Sequence, residues 1–326
     1  MKMMTSVRLL MATLVLAFVG GASAFTPNNV ECIAPADPGG GWDFTCRSVG
    51  KILYDLKLAP QPVKVTNMPG GGGGVAYGYV VSKRDSDANL LIAASTATTT
   101  RLAQNQFAGL TEDQVRWVAA IGADFGVIAV SNDSPYMTLD DLVKAVESDP
   151  TKIAFAGGSA VGGWDHLKVL LLMKAAGMQG VKNVKYISFN SGGNALTQLL
   201  GNHVQAVTGD VSELKGQIEA GNVRALAVLS DARLPGDLSS VPTAKEQGYD
   251  VVGANWRGFY VPGKISDDAF TYWQNTMDTL YQSDEWKAAM VSNGLAPFHM
   301  SGNAFNDFVN KQIKDLRDLS KEIGLL

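Results

Sequence analysis

The sequence predicts an α/β protein with mainly parallel sheet, and three observations carry that prediction. Strand-like and helical runs alternate at short intervals, glycine-rich segments stand where strands hand over to helices, and the chain turns predominantly helical after Pro242.

The elements follow in order. Residues 30–34 (VECIA) read as a strand stopped at Pro35, and Pro38, Gly39, Gly40 and Gly41 lead into a helix from Trp42 or Asp43 to Leu56. A strand is expected over 61–66, a helix from the glycines at 70–74 to about Ser82, and a strand over 89–94. The segment 118–130 reads as apolar but broken by Gly122, Asp124 and Gly126, so a strand is assigned to 126–131 only. Thr138, Asp140 and Asp141 start a helix that ends before Pro150. Strand 152–156, loop 157–163, helix 165–176, strand 185–189 and helix 195–200 repeat the pattern, and strands 206–208 and 223–229 complete a second sheet. A short helix over 244–248, a strand over 255–261 and helices over 266–281, 284–293 and 304–323 close the chain. In the last helix Phe305, Phe308, Val309, Ile313, Leu316, Leu319 and Ile323 form one apolar stripe, a core face.

Lys2 and Arg8, an apolar run from Leu9 to Val19 and the small residues Gly20 to Ala24 read as a signal peptide cut after Ala24. A membrane-spanning helix needs about 20 apolar residues, and this run has 11. An exported, periplasmic chain of 302 residues remains, enough for two lobes. The expected division is 25–125 plus 257–326 for the first lobe and 126–256 for the second, joined by crossover strands near 125–130 and 257–261. With residues 1–24 removed, 25 Lys and Arg face 31 Asp and Glu, a net charge of −6. No basic patch interleaved with aromatics argues for nucleic acid, and a monomer is expected because no coiled-coil seam is evident. Cys32 and Cys46, the only cysteines, are spaced to allow a disulfide between a first strand and a first helix; two buried thiols are the other reading.

Four glycine-rich segments, 39–41, 70–74, 157–163 and 192–193, sit at strand-to-helix junctions. Glycine there lets backbone N–H groups approach a ligand, and each following helix adds unpaired N–H groups and the positive end of its dipole. A carboxylate suits such a place. One helix terminus contributes about 0.3–2 kcal/mol, whereas micromolar affinity needs about 8 kcal/mol, so several loops must converge.

Nucleotide and enzyme readings fail on spacing. No Walker A lysine follows Gly70–Gly74, and both GxGxxG frames end on a non-glycine, at Phe44 and at Val75. His166, His203 and His299 lack HExxH spacing, and Ser159 in GGSAVG departs from the GxSxG elbow. Asp43, Asp165 and Asp210 read as acid/base groups or equally as helix caps and hydrogen-bond acceptors.

The runs APADPGGGWD (34–43), NMPGGGG (67–73), GSAVGGWDHL (158–167), FNSGGNA (189–195) and WRGFYVP (256–262) together resemble the extracytoplasmic receptors of tripartite tricarboxylate transporters, in order and over nearly the whole mature chain. The resemblance implies a type II periplasmic-binding-protein fold, two three-layer α/β lobes closing on a carboxylated solute in the cleft between them. It implies delivery to a permease of one large and one small membrane subunit, with no cofactor or metal. Its carboxylate clamp carries over to Pro38, Gly39, Gly40, Gly41, Trp42 and Asp43 and to Ser159, Ala160, Gly162, Gly163, Trp164 and Asp165. Ser191, Gly192 and Asn194 lie beside it, and Asp210 matches a recurring acidic position, read either as a ligand contact or as structural.

Trp42 stands where many members have Thr, and Trp164-Asp165 where many have Ser-Pro; each change removes a hydroxyl. With Cys32, Cys46 and Arg257 this looks like the citrate-type branch, so citrate is the first expectation. A C4-dicarboxylate, an acidic amino acid and an aromatic acid are the alternatives, as is loading of a membrane signalling protein instead of a permease. Arg257 reads either as the partner of a further carboxylate or as a salt bridge bracing the hinge, and Trp42 and Trp164 either as cleft covers or as core.

Overall fold

The computed structural model describes residues 25–326, so the expected signal peptide lies outside the described residues. The elements are β1 (Glu31–Ala34), α1 (Gly41–Asp55), β2 (Lys64–Asn67), α2 (Gly74–Lys83), β3 (Leu90–Ser95), α3 (Thr96–Ala103) and β4 (Val115–Ser131). Next come α4 (Leu139–Ser148), β5 (Ala154–Gly157), α5 (Trp164–Ala175), β6 (Lys185–Ser188), α6 (Gly192–Leu200), β7 (Ala206–Asp210), α7 (Val211–Glu219) and β8 (Val223–Leu229). The chain ends with β9 (Ala254–Pro262), α8 (Asp267–Gln282), α9 (Asp284–Asn293), β10 (Met300–Ser301) and α10 (Gly302–Glu322).

One strand organises the molecule. The 17 residues of β4 pair antiparallel with β9 from Val115 to Phe125, then with β7 and β8 from Gly126 onward. In the first half of the sheet, β2, β1 and β3 run parallel and β9 runs antiparallel to β3; in the second half, β6, β5 and β7 run parallel. The expected break inside 118–130 does not occur. Gly122 and Gly126 are points of close approach: a Cβ at Gly122 would meet Leu295 at 3.2 Å, and one at Gly126 would meet the Lys168 stem at 2.6 Å. Strand glycine marks such contacts as readily as an end.

Helices cover both faces, giving a two-lobed α/β fold. Against the first half, α1, α8 and α9 bury Leu53, Trp273, Met277 and Trp286 on Ile121 and Phe259. The Trp273 and Trp286 ring N–H groups donate to Ala88 O and Ile121 O, so these large side chains are buried without orphan donors. On the second half, Ala195, Leu199 and Leu214 pack on Val127, Val207 and Val228. The opposite face carries a core common to both halves, in which Phe305, Val309, Ile313 and Leu316 of α10 join Leu90, Tyr260, Phe155 and Leu170.

Two helices escape the sequence reading. The Thr-rich α3 has β-branched residues of low helix propensity, but Ser95 and Thr98 form a capping box at its start, and Gln312 of α10 accepts from Thr99. Helix α7 is short and opens with a capping box of Asp210 and Glu213.

Candidate functional site

The Cys32–Cys46 disulfide joins β1 to α1 and closes the chain around the 35–40 loop. Inside α1, Asp43 accepts from Gly39 N at 3.0 Å, Arg47 Nε at 2.9 Å and Asn67 Nδ2 at 2.8 Å. Burial pushes the Asp43 carboxyl up, but Arg47, Asn67 and the Gly39 N–H outweigh it and hold it below its ordinary value. Asp43 is therefore a loop brace.

The start of α1 has only glycine at its cap, and its donor is met from across the molecule. Glu213 of α7 accepts from Gly41 N at 2.8 Å and Gly192 N at 3.3 Å through Oε1, and from Asp210 N at 3.2 Å through Oε2. One carboxylate thus sits at the starts of α1, α6 and α7. Burial, with Asp210 and Asp165 nearby, pushes the Glu213 carboxyl up to about 7.

Below it lies a buried ion cluster. Lys168 Nζ donates to Asp165 at 2.8 Å, Asp210 at 2.7 Å and Gly209 O at 2.7 Å, using its three protons. Arg257 Nη2 donates to Asp124 at 2.8 Å and Asp210 at 2.9 Å, and Asn255 Nδ2 donates to Asp210 at 2.5 Å. Two cations thus face four carboxyl groups. Burial raises Asp124 and Asp165, whereas for Asp210 the pull of Lys168 and Arg257 exceeds burial and lowers it. Arg257 lies directly under the first loop, where a Cβ on Gly41 would overlap its guanidinium.

Above this cluster the loops enclose a cleft. The end over the ion cluster, about 40 Å³, is lined by Gly40, Gly41, Trp42, Ser159, Trp164, Asp165, Ser191, Asp210, Glu213 and Arg257, among others. The larger part, about 190 Å³, shares Trp42, Ala97, Gly158 and Ser159 with that end and adds Gly70–Gly72, Arg101, Ala160, Gly163 and Asn190. The structure thus gathers most of the expected site residues around one space. Pro38 and Gly39 are exposed instead. Gly162 donates its N–H to His166 Nδ1 at 2.9 Å, and Asn194 Nδ2 donates to Asp37 at 2.9 Å. Gly192 meets Glu213. Burial lowers His166 to about 4, so its imidazole is neutral and serves as that acceptor. Ser159 Oγ accepts from Asp165 N at 2.9 Å, and Ser191 Oγ accepts from Asn194 N at 3.2 Å; both hydroxyls brace loops.

The two halves touch across this cleft. Asp37 N donates to Asn190 O at 3.1 Å, Gln104 Nε2 to Gly162 O at 2.7 Å and Arg101 Nη1 to Val161 O at 3.0 Å. Among the described residues, five buried side-chain atoms lack a hydrogen-bond partner, and four of them, Arg101 Nε, Trp164 Nε1, Asn255 Oδ1 and Arg257 Nε, belong to residues that line the cleft. Buried polar atoms are almost always paired, so unmet capacity concentrated here marks a place for polar ligand atoms.

Arg101, Glu213, Lys168 and Asp124 were not anticipated as site residues. Arg101 was hidden in a helix that propensity does not reveal, while the ion cluster assembles segments around 124, 165–168, 210–213 and 255–257 that only the fold brings together.

Fold and cleft together define a two-lobed binding protein of the periplasmic type. The family model for the tripartite tricarboxylate transporter family receptor, TctC, matches residues 53–325, and the chain belongs to that family. Membership makes it a receptor of a tripartite transport system for organic acids, and not an enzyme. Protein BugT of Bordetella pertussis is 25% identical over 328 aligned residues, covering 99% of this chain and 98% of that protein. The solved structure of R. palustris Rpa4515 with adipate superposes with a TM-score of 0.82 at 22% identity, covering 91% of this chain and 97% of that one. MatC from Rhodopseudomonas palustris with bound malate gives a TM-score of 0.76 at 19% identity, covering 89% and 98%. At these identities the two structures establish the fold.

Proposed function

We propose that this chain is the receptor for a dicarboxylate of about malate to adipate size, which it hands to the large and small membrane subunits of its permease. The observation that carries the reading is the concentration of unpartnered buried polar side-chain atoms in one cleft lined by loops from both halves. The end over the ion cluster disfavours a citrate trianion, because three carboxyl groups, of Asp165, Asp210 and Glu213, line it against the one guanidinium of Arg257. Malate and adipate in MatC and Rpa4515 support a diacid. The proposed contacts are Gly40, Gly41, Trp42, Ser159, Ala160, Gly163 and Trp164, with Asp165, Ser191, Asp210 and Arg257 at the base. Gly39, Asp43, Gly162, Gly192 and Asn194 hold these loops in place.

The proposed lobes are 25–125 plus 257–326 and 126–256, hinged where β4 changes partners and where β9 begins. The open form binds the acid on one lobe, and closure brings the other lobe's loops to it; differential contact with the closed form sets the balance. Calorimetric titration of ligand-stripped mature protein with malate, succinate, adipate, citrate, glutamate and terephthalate tests this. One-to-one binding is expected, tightest for a diacid and at least tenfold weaker for citrate. Tightest binding of citrate would reverse the solute assignment, and silence across the panel would reject the acid receptor reading.

A further inference from the structure

The cleft contains two arginines, and they differ in one respect that matters for an anion. Arg257 is neutralised by Asp124 and Asp210. Arg101 is 8% exposed, lines the larger part of the cleft and has no acidic partner among the described residues. Its acceptors are neutral: Gln104 Oε1 at 2.9 Å and Val161 O at 3.0 Å from Nη1, and Gln106 Oε1 at 3.2 Å from Nη2. A guanidinium has five N–H donors; these bonds use three, and those left over are the Nε–H and one on Nη2. Nε and Nη2 lie along one edge of the fork, the geometry that takes a carboxylate through two parallel hydrogen bonds. Nε is buried and unpartnered. A Cβ on Gly72, whose φ is +64°, would stand 3.3 Å from Nε, so the glycine keeps this edge uncrowded.

A buried, unneutralised cation is costly unless a counter-charge joins it. We propose that Arg101 binds the second carboxylate of the ligand and makes the receptor select diacids over monoacids of equal chain length. The inference rests on the diacid reading of the cleft and adds the residue that enforces it. The first carboxylate is held by loop backbone N–H groups, which a monoacid satisfies equally well; the second meets Arg101, which a monoacid leaves unmatched.

The bond from Arg101 to Val161 O crosses the cleft, so the residue also stands as a latch, and the test must separate the two roles. Succinate against butyrate and adipate against hexanoate are titrated into wild-type protein, Arg101→Gln and Arg101→Lys, with thermal unfolding as the fold check. In the wild type the better diacid is expected to bind at least about 30-fold more tightly than its monoacid, the low end of what a buried charge pair contributes. R101Q should lose that ratio through the diacid alone, and R101K should keep only part of it because it lacks the fork. Equal weakening of diacid and monoacid in either variant identifies a latch and overturns the proposal, as does an unchanged ratio. If the wild type binds no diacid, the underlying reading fails with it; if it binds diacids and the ratio survives substitution, only the role of Arg101 fails.

Discussion

Lys168 shows how much a single side chain is asked to do. It is fully buried, and its ammonium holds Asp165 on its own helix and Asp210 at the end of β7. Lys168→Met would leave Asp165 without its counter-ion and Asp210 with Arg257 alone and should cost about 3–5 kcal/mol, the penalty for breaking a buried pair from one side; denaturant unfolding measures it. Gly41 illustrates the opposite constraint, since its missing side chain makes room for the Arg257 guanidinium. Gly41→Ala should destabilise by about 1–3 kcal/mol through overpacking and weaken diacid binding by displacing the first loop, both readable in one titration series. Glu213 supplies a pH signature. Its carboxyl is raised from an ordinary 4.5 to about 7, so between those values the folded protein holds a proton the unfolded chain has released. The stability linked to it is therefore full below 4.5 and lost as pH rises through 7. His166, lowered to about 4, works in the opposite direction, and Asp124 and Asp165, also raised, in the same one, so the test is the difference between variant and wild type: the melting temperature of Glu213→Gln relative to wild type should rise steadily from pH 5 to pH 7.5.

At the scale of elements, the first loop is held at its root by the Cys32–Cys46 bridge between β1 and α1, a sequence separation of 14. Closing a loop of about 15 residues stabilises by about 3 kcal/mol in the chain-entropy account, so replacing both cysteines with alanine should lower the unfolding free energy by about 2–4 kcal/mol and weaken ligand capture. Comparing denaturation of the oxidised wild type with the double variant checks both. The elements also show why some of the fold was legible in the sequence and some was not. Glycine loops between apolar strands announced β1–α1, β5–α5 and β6–α6, and the stripe on α10 announced a core face that the structure buries. Helix α3 stayed hidden because its threonines disfavour helix locally, while tertiary contacts to α10 and a capping box stabilise it. β4 was cut short because glycine in a strand reads as a break, whereas here it admits Lys168 and Leu295. Of the cleft, the loops could be read because backbone approach demands glycine, and Asp165, Asp210 and Arg257 were legible one by one; Arg101, Lys168, Asp124, Glu213 and the pairing among the charges could not be read, because charge pairing between distant segments leaves no local pattern.

For the whole molecule, the continuous strand β4 and the shared core under α10 connect two halves whose loops meet over one cleft. The direct bonds across it, from Asp37 to Asn190, Gln104 to Gly162 and Gly41 to Glu213, describe a closed arrangement. Opening must break them, and a bound acid adds contacts that only the closed form offers. The most direct test is a crystal structure of the mature protein with its tightest-binding diacid. The account predicts the ligand in this cleft, one carboxylate on backbone N–H groups of the loops and the carbon chain beside Trp42 and Ala97. A diacid seated elsewhere, such as the apolar groove between Leu234 and Pro297, with the cleft filled by side chains alone, would contradict it.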